Sequence, residues 1–142
     1  MPTSDTLERI SHIRTRARLF VTDEVARRGI EEVVPSHGVV LAYLYRNKGP
    51  LPVTSLVLAL RRPKSTITKT TDSLESGGYL SKTPNPGDGR SYLVELTPRG
   101  KEFYSVFMEI SERLEERLFA GLSAEDRQTF SRLLRVLEEN LD

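Results

Sequence analysis

The sequence predicts a mainly α-helical protein with a small β-hairpin, in the order helix, turn, helix and hairpin between longer flanking helices. Apolar residues recur at three- and four-residue spacing along most of the 142 residues, which is typical of amphipathic helices. Residues 79–83 and 92–96 instead have the pattern of two short strands, and the polar loop between them is too long for a two-residue turn. The length suits one compact domain, or two small subdomains that share a core.

Two helices are predicted in the first third of the chain. The first runs from residue 5 to about residue 28, and Gly29 is placed to terminate it. The chain restarts at Pro35 and Ser36. A second helix through residues 39–44 then stops at the Asn-Lys-Gly-Pro segment that follows it.

A short third helix and a fourth helix form the centre of the predicted fold. Pro52 is expected to open the third helix, in which the following residues are expected to be mostly buried: Leu56, Val57, Ala59 and Leu60. Residues 61–63 make the turn, and Pro63 suits the first turn of the fourth helix because its missing N–H costs little there. Within that helix, residues 64–76, the core face is expected to consist of Ile67, Thr71 and Leu74.

The hairpin and the last two helices complete the prediction. The loop over residues 84–91 is expected to project as a wing. Thr97 and Pro98 have the residue types of an N-cap and a first helical position, so a long helix starts there. Ser123 with Asp126 three residues later resembles a capping box at the start of the last helix.

The net charge of +1 hides an uneven distribution of charged side chains. Residues 46–101 contain ten basic and four acidic side chains, whereas residues 102–142 contain five basic and ten acidic ones. A basic module inside a nearly neutral protein is the charge pattern expected for nucleic-acid binding. An unevenly charged, solvated surface is the alternative explanation.

Candidate DNA-binding residues are concentrated at the opening of the fourth helix and at the wing. Cations and hydroxyls at a helix N-terminus can contact phosphates and base edges in the major groove, and an arginine on a projecting turn can enter a narrow minor groove. The candidates are Arg61, Arg62, Lys64, Ser65, Thr66, Thr68, Lys69, Asp88 and Arg90. Asp88 is expected to shape the loop; the alternative is that Arg90 is a surface arginine paired with Asp88, and that the other candidates are ordinary solvated residues.

Several classes of protein are disfavoured. No stretch of about 18 apolar residues suits a membrane span, and the N-terminus lacks the pattern of a secretion signal. The absence of cysteine excludes disulfides, thiolate metal sites and thiol redox sensing. No spacing of His, Asp and Glu suggests a metal site, and no catalytic motif is present. We therefore expect a cytoplasmic protein that is not an enzyme and uses neither metal nor cofactor.

The first and last predicted helices carry apolar residues near the two chain ends. Leu7 and Ile10 lie near one end, and Leu137 and Leu141 lie near the other. A small winged module has too little surface to cover them, so the pattern favours a homodimer that buries them between two copies. The alternative is that the two helices pack on each other within one chain.

The order of elements over nearly the whole chain, together with four short motifs at their spacing, resembles the MarR family of winged-helix transcription factors. Residues 65–69, Ser-Thr-Ile-Thr-Lys, are similar to the opening of that family's recognition helix, and residues 74–80, Leu-Glu-Ser-Gly-Gly-Tyr-Leu, to its end. Residues 88–90, Asp-Gly-Arg, match the Asp-x-Arg pattern of its wing. Residues 96–100, Leu-Thr-Pro-Arg-Gly, match the Leu-Thr-x-x-Gly after the wing. The chain departs from the family's pattern at Pro63, Thr70 and Thr71.

The resemblance implies a homodimeric repressor that binds a pseudo-palindromic operator. It assigns residues 1–34 and 98–142 to a helical dimerisation region and residues 35–97 to a winged helix-turn-helix lobe that binds double-stranded DNA. It also implies release by a small anionic or phenolic effector in a pocket where the first, second and fifth helices meet. Residues that could line such a pocket are His12, Arg16, His37, Tyr43 and Tyr104; the alternative is that they are ordinary polar residues at the edge of the core.

Two other functions are compatible with parts of the pattern. A winged-helix module that binds a protein instead of DNA has the same order of elements, but the basic fourth helix and Arg90 argue against it. A purely structural helical dimer would not need the wing. Salt-dependent binding to DNA separates these functions, because neutralising phosphates releases counterions.

Overall fold

The computed structural model of the chain describes residues 3–30 and 37–142. Within these ranges the elements follow one another in the order α1 (Thr3–Arg27), α2 (His37–Arg46), β1 (Leu51–Pro52), α3 (Val53–Leu60), α4 (Lys64–Ser76), β2 (Leu80–Pro84), β3 (Tyr92–Leu96), α5 (Pro98–Leu118) and α6 (Ala124–Glu139). The mainly helical fold with a hairpin wing is therefore confirmed. The predicted restart of the chain at Pro35 and Ser36 lies outside the described residues.

The starts of the last two helices are set by local capping. The Thr97 hydroxyl accepts a hydrogen bond of 3.0 Å from the Gly100 N–H, and Pro98 is the first residue of α5. At α6, the Asp126 N–H donates to the Ser123 hydroxyl at 3.0 Å, and the Ser123 N–H donates to the Asp126 carboxylate at 3.2 Å. Both predicted caps are confirmed, and each satisfies N–H groups that a helix start leaves unpaired.

The three strands form one antiparallel sheet in the order β1-β3-β2. The hairpin register runs from Leu80 opposite Leu96 to Pro84 opposite Tyr92. The first strand of the hairpin begins one residue later than predicted. The cause is the end of α4: the Tyr79 N–H donates to the Leu74 carbonyl at 2.9 Å, so Tyr79 still belongs to the turn that closes the helix.

Two predictions for the central segment are corrected, and one strand is added. Pro52 stands at the start of α3 as its N-cap, as predicted, but Leu51 and Pro52 also pair with β3 as the short strand β1. Pro63 lies at the N-cap of α4 and not in its first turn, because its ψ of 144° is extended. Ala59 is exposed, while Leu56 is buried, because one side of the eight-residue helix α3 faces solvent.

The core lies between α2, α3, α4, the sheet and α5, and the end of α1 closes it. The predicted core face of α4 is confirmed, since Ile67, Thr71 and Leu74 are all buried. Gly100 allows α5 to approach the turn between α4 and β2 closely: a Cβ at this position would lie 2.0 Å from the Tyr79 carbonyl oxygen. Only glycine fits there, which gives a physical reason for the glycine of the Leu-Thr-x-x-Gly motif.

The helix α6 is amphipathic but buries none of its residues. Its apolar side chains are two-fifths exposed or more, and they are Phe130, Leu133, Leu134, Val136 and Leu137. Leu7 and Ile10 of α1 are also exposed, so packing within one chain leaves this apolar surface uncovered. Over the described ranges, none of the helices is both long enough and apolar enough to span a membrane.

Candidate nucleic-acid interface

The first two turns of α4 present a polar and positively charged face. Lys64, Ser65, Thr66 and Lys69 are exposed, and Thr68 is half-buried. The opposite face of the helix is buried in the core. Local propensity holds this helix only weakly, since it contains several threonines and starts without a side-chain cap. Packing of the buried face therefore determines which side chains point outwards.

The turn between α3 and α4 adds two exposed arginines. Arg61 is the C-cap of α3 and has a left-handed backbone, with φ 51° and ψ 44°. Among the described residues, Arg61 is the only non-glycine residue with a positive φ. This conformation lets the chain reverse direction in three residues and brings Arg61 and Arg62 next to the start of α4.

The wing loop is held by hydrogen bonds that two of its own side chains accept from backbone N–H groups. The Gly87 N–H donates to the Asn85 side-chain oxygen at 3.0 Å, and the Arg90 N–H donates to the Asp88 carboxylate at 3.0 Å. Asp88 thus binds the backbone of Arg90. The Arg90 guanidinium is exposed and forms no ion pair with Asp88 or with any other described residue.

The candidate DNA-contacting cations all lack an ion pair within the described part of the chain. These cations are Arg61, Arg62, Lys64, Lys69 and Arg90. Their positive charge is therefore not neutralised within the molecule. Such a surface attracts polyanions and releases counterions from DNA on binding.

A network of side chains that the sequence did not reveal joins α4 to the hairpin. The Thr71 hydroxyl lies 3.2 Å from the Tyr92 hydroxyl, and Lys82 of β2 forms an ion pair with Asp72 of α4. The Lys82 ammonium also lies 4.7 Å from the centre of the Tyr92 ring. Burial opposes the charged form of Lys82, but the hydrogen bond to Asp72 and the neighbouring negative groups outweigh it and raise the pKa of Lys82. We name Thr71, Asp72, Lys82 and Tyr92 the wing brace.

A groove along α1 and α5 contains two of the candidate effector residues. Its volume is about 830 Å³, within the range of small-molecule sites. The Arg16 guanidinium donates to the His12 ring at 3.3 Å, and both side chains line the groove. Apolar, cationic and acidic side chains of the two helices complete its wall, among them Phe20, Asp23, Glu24, Leu114 and Arg117.

The other three candidate effector residues do not line this groove. His37 is buried at the first residue of α2, where burial lowers its pKa. Tyr43 is half-buried and packs against the core. The Tyr104 ring is stacked on Tyr45, with 4.1 Å between the ring centres. The structure thus brings together His12 and Arg16 only.

A charged cluster that the sequence pattern did not predict forms part of the groove wall. Glu24, whose side chain is 11% exposed, accepts hydrogen bonds from Arg27 at 3.3 Å, Arg28 at 2.9 Å and Arg113 at 3.2 Å. The hydrogen bond from Arg28 is the main cause of a lowered pKa of Glu24. The spacing of Glu24 to Arg27 and Arg28 was a visible signal of helical ion pairs, but the pair with Arg113 of α5 was not.

Metal binding has no support in the described residues, which contain no group of three or more His, Cys, Asp or Glu side chains able to hold an ion.

Comparisons with known proteins agree on one family. A family model described as the MarR family matches residues 34–91, from the segment before α2 to the wing loop. The repressor IacR of Pseudomonas putida is 33% identical over 78 residues, which cover 55% of this chain and 47% of IacR. The transcriptional regulator PecS of Dickeya dadantii is 29% identical over 140 residues, which cover 96% of this chain and 80% of PecS.

A solved structure extends the likeness to the fold. The protein BpsR of Bordetella bronchiseptica superposes with a TM-score of 0.77 at 22% identity, covering 96% of this chain and 93% of BpsR. That structure is described as showing how 6-hydroxynicotinic acid regulates the DNA binding of BpsR.

Proposed function

The chain belongs to the MarR family of transcriptional regulators, and on that basis we propose that it is a homodimeric, sequence-specific repressor of a pseudo-palindromic operator. A small anionic or phenolic ligand releases it from DNA. The protein acts in the cytoplasm, where operator DNA is accessible, and it does not work as an enzyme.

The observation that carries this proposal is the set of unpaired cations and hydroxyls on α4 and the wing. Lys64, Ser65, Thr66, Thr68 and Lys69 are at the start of α4, the part of a recognition helix that contacts base edges in the major groove. A module that bound another protein through this surface would not need so many cations that lack an ion pair within the described part of the chain. Phosphates are the partners that these cations fit best.

The wing supplies the second groove contact. The Arg90 guanidinium is exposed at the end of a loop that Asp88 holds in shape. A narrow minor groove has an enhanced negative potential that attracts such an arginine. Arg61 and Arg62, in the turn before α4, are positioned to bind phosphates.

The exposed apolar surfaces of α1 and α6 support the homodimer. Residues 1–34 and 98–142 then form the dimerisation region, and residues 35–97 form one DNA-binding lobe in each copy. The groove between α1 and α5 is lined by apolar, basic and acidic side chains, and α6 has an apolar face with an acidic end. Two lobes related by a two-fold axis contact half-sites about 34–36 Å apart, one turn of DNA.

The same groove supports the choice of effector. Arg16 and His12 would face the carboxylate or phenolate of a ligand, and Phe20 and Leu114 its ring. The regulation of BpsR by an aromatic acid is consistent with that chemistry. We therefore propose a small aromatic acid as the effector.

Operator binding tests the function. We expect the protein to bind duplexes enriched from a random pool at least about 10³-fold more tightly than scrambled duplexes at 150 mM salt. Arg90→Ala should weaken that binding by about 1–3 kcal/mol per contact, roughly 5- to 150-fold. Fluorescence anisotropy at several salt concentrations measures both the affinity and the salt slope.

Arg14→Ala is the matched control, because it removes an exposed arginine of α1 that lies outside the lobe and does not line the groove. It should leave the affinity unchanged. Equal affinity of wild type and Arg90→Ala would remove the wing from the proposal. Failure of the wild type to prefer any duplex would overturn the proposed function as a whole.

Effector release is tested by titrating salicylate and 6-hydroxynicotinic acid against the operator complex. We expect a sensitive wild type, and an Arg16→Met variant that binds the operator normally but needs at least about tenfold more acid, because a hydrogen bond to a charged group is lost. Arg14→Met, on the same helix but outside the groove, should respond as the wild type does. Unchanged operator binding at all acid concentrations would contradict a regulated groove.

A further inference from the structure

The wing brace connects the two parts of the protein that are proposed to enter different grooves of DNA. Thr71 and Asp72 belong to α4, whereas Lys82 belongs to β2 and Tyr92 to β3. Tyr92 pairs with Pro84 in the last position of the ladder before the wing loop. The brace therefore holds the hairpin at the root of the loop that carries Arg90.

The contacts of the brace are directional and partly shielded from water. Thr71 is buried, and its hydroxyl also donates to the Thr68 carbonyl at 3.0 Å, so it bonds both to its own helix and to the Tyr92 hydroxyl. The Lys82 side chain is 16% exposed and contacts both the Asp72 carboxylate and the face of the Tyr92 ring. Four side chains thus form one closed set between helix and wing.

From this set we infer that Thr71, Asp72, Lys82 and Tyr92 are positioning residues that fix the distance and angle between the α4 contacts and Arg90. The inference rests on the proposed function. Because both contacts are on one rigid unit, α4 and Arg90 reach their two grooves without a further ordering cost. Lys82 is therefore not expected to contact DNA as Lys64 and Lys69 do, because its charge is paired with Asp72 within the protein.

The charges of the brace have a second consequence. Asp72 lies on the exposed side of α4, where its side chain is 59% exposed. An uncompensated carboxylate on a surface that approaches phosphates would weaken binding through like-charge repulsion. Lys82 neutralises this carboxylate, so loss of Lys82 is expected to be worse than loss of both residues together.

The test compares operator affinities of brace variants in two backgrounds, wild type and Arg90→Ala. Tyr92→Phe removes only the hydroxyl that meets Thr71, and we expect about three- to tenfold weaker binding, the range for one hydrogen bond. In the Arg90→Ala background the same change should cost less than about twofold, because there is no wing contact left to position. Lys82→Met should cost more than the double variant Asp72→Asn/Lys82→Met.

Urea unfolding and gel filtration of each variant show whether fold and dimer are intact. Undiminished binding by Tyr92→Phe, or an equal loss with and without Arg90, would overturn the inference, since a merely structural role predicts the same loss in both backgrounds. A wild type that binds no operator would instead overturn the proposed function. Footprinting gives the independent readout: protection of the minor groove from hydroxyl radicals should fall in Tyr92→Phe, while protection of guanine N7 from methylation in the major groove should persist.

Discussion

The apolar side chains of the lobe, described for residues 37–97, are mostly buried, whereas those of the C-terminal helix α6 are exposed. In the lobe, Leu41, Leu56 and Leu74 are 0% exposed. In α6, Leu133 and Leu137 are 50% and 49% exposed, and no residue is buried. The lobe completes its core from its own chain, whereas α6 has the pattern of a helix whose core is completed by a second copy.

The two regions also form their helices for different reasons. The threonine-rich helix α4 has poor helix formers and no side-chain cap, so packing of its buried face holds it. The helix α6 has a capping box at Ser123 and Asp126, so local hydrogen bonds define its start before any packing. Damage to packing should therefore unfold the lobe, but in α6 it should weaken association.

The largest effect is expected from Leu74→Ala. This side chain is 0% exposed, and removing it from a packed core costs about 2–5 kcal/mol. Much of the stability of a small domain is lost, and operator binding falls with it. Urea unfolding monitored by circular dichroism measures the change, which should not depend on protein concentration in the range where the protein is dimeric.

Leu134→Ala is the matched change in α6, where the side chain is 40% exposed in one chain. We expect a dimer that is at least tenfold weaker, since each copy withdraws on the order of 1 kcal/mol of apolar burial. Sedimentation at several concentrations measures the association constant. A loss of stability without any change in association would mean that α6 packs within its own chain, and the contrast between the two regions would fail.

Local signals explain what the sequence predicted well. Thr97 and Ser123 cap helices through bonds that span three residues, and the buried face of α4 follows from a periodicity of three and four. The hairpin was visible because two short strands flank a polar loop. In each case the residues that determine the element are close together in the chain.

Contacts between distant segments explain what was missed. The strand β1 has two residues, and within the described ranges it pairs with β3 alone, some forty residues later, so no pattern of its own marks it. The brace joins α4 to both hairpin strands, and Glu24 meets Arg113 across 89 positions. Such pairs depend on how helices and strands pack, which periodicity alone does not specify.

The candidate site shows the same division. The exposure of Lys64, Ser65 and Arg90 follows from a helix start and a projecting loop, both local features. The effector residues were placed by resemblance on three helices, and only His12 and Arg16 share the groove. Which candidates line the groove depends on which faces of α1 and α5 pack together, and the sequence does not specify those faces.

The smallest effect is expected at the turn of the lobe, where Arg61 has a φ of 51°. A left-handed backbone costs a non-glycine residue about 1–2 kcal/mol, part of which glycine loses again through its freedom in the unfolded chain. Arg61→Gly should therefore raise the free energy of unfolding by about 0.5–1 kcal/mol. Arg62→Gly removes an equal charge one residue later, where φ is not positive, and should lower the free energy of unfolding instead.

Both variants lose one cation, so their salt slopes for operator binding should fall alike, by about one each if both arginines bind phosphate. Unfolding free energies that shift in the same direction would show that the left-handed turn stores no strain.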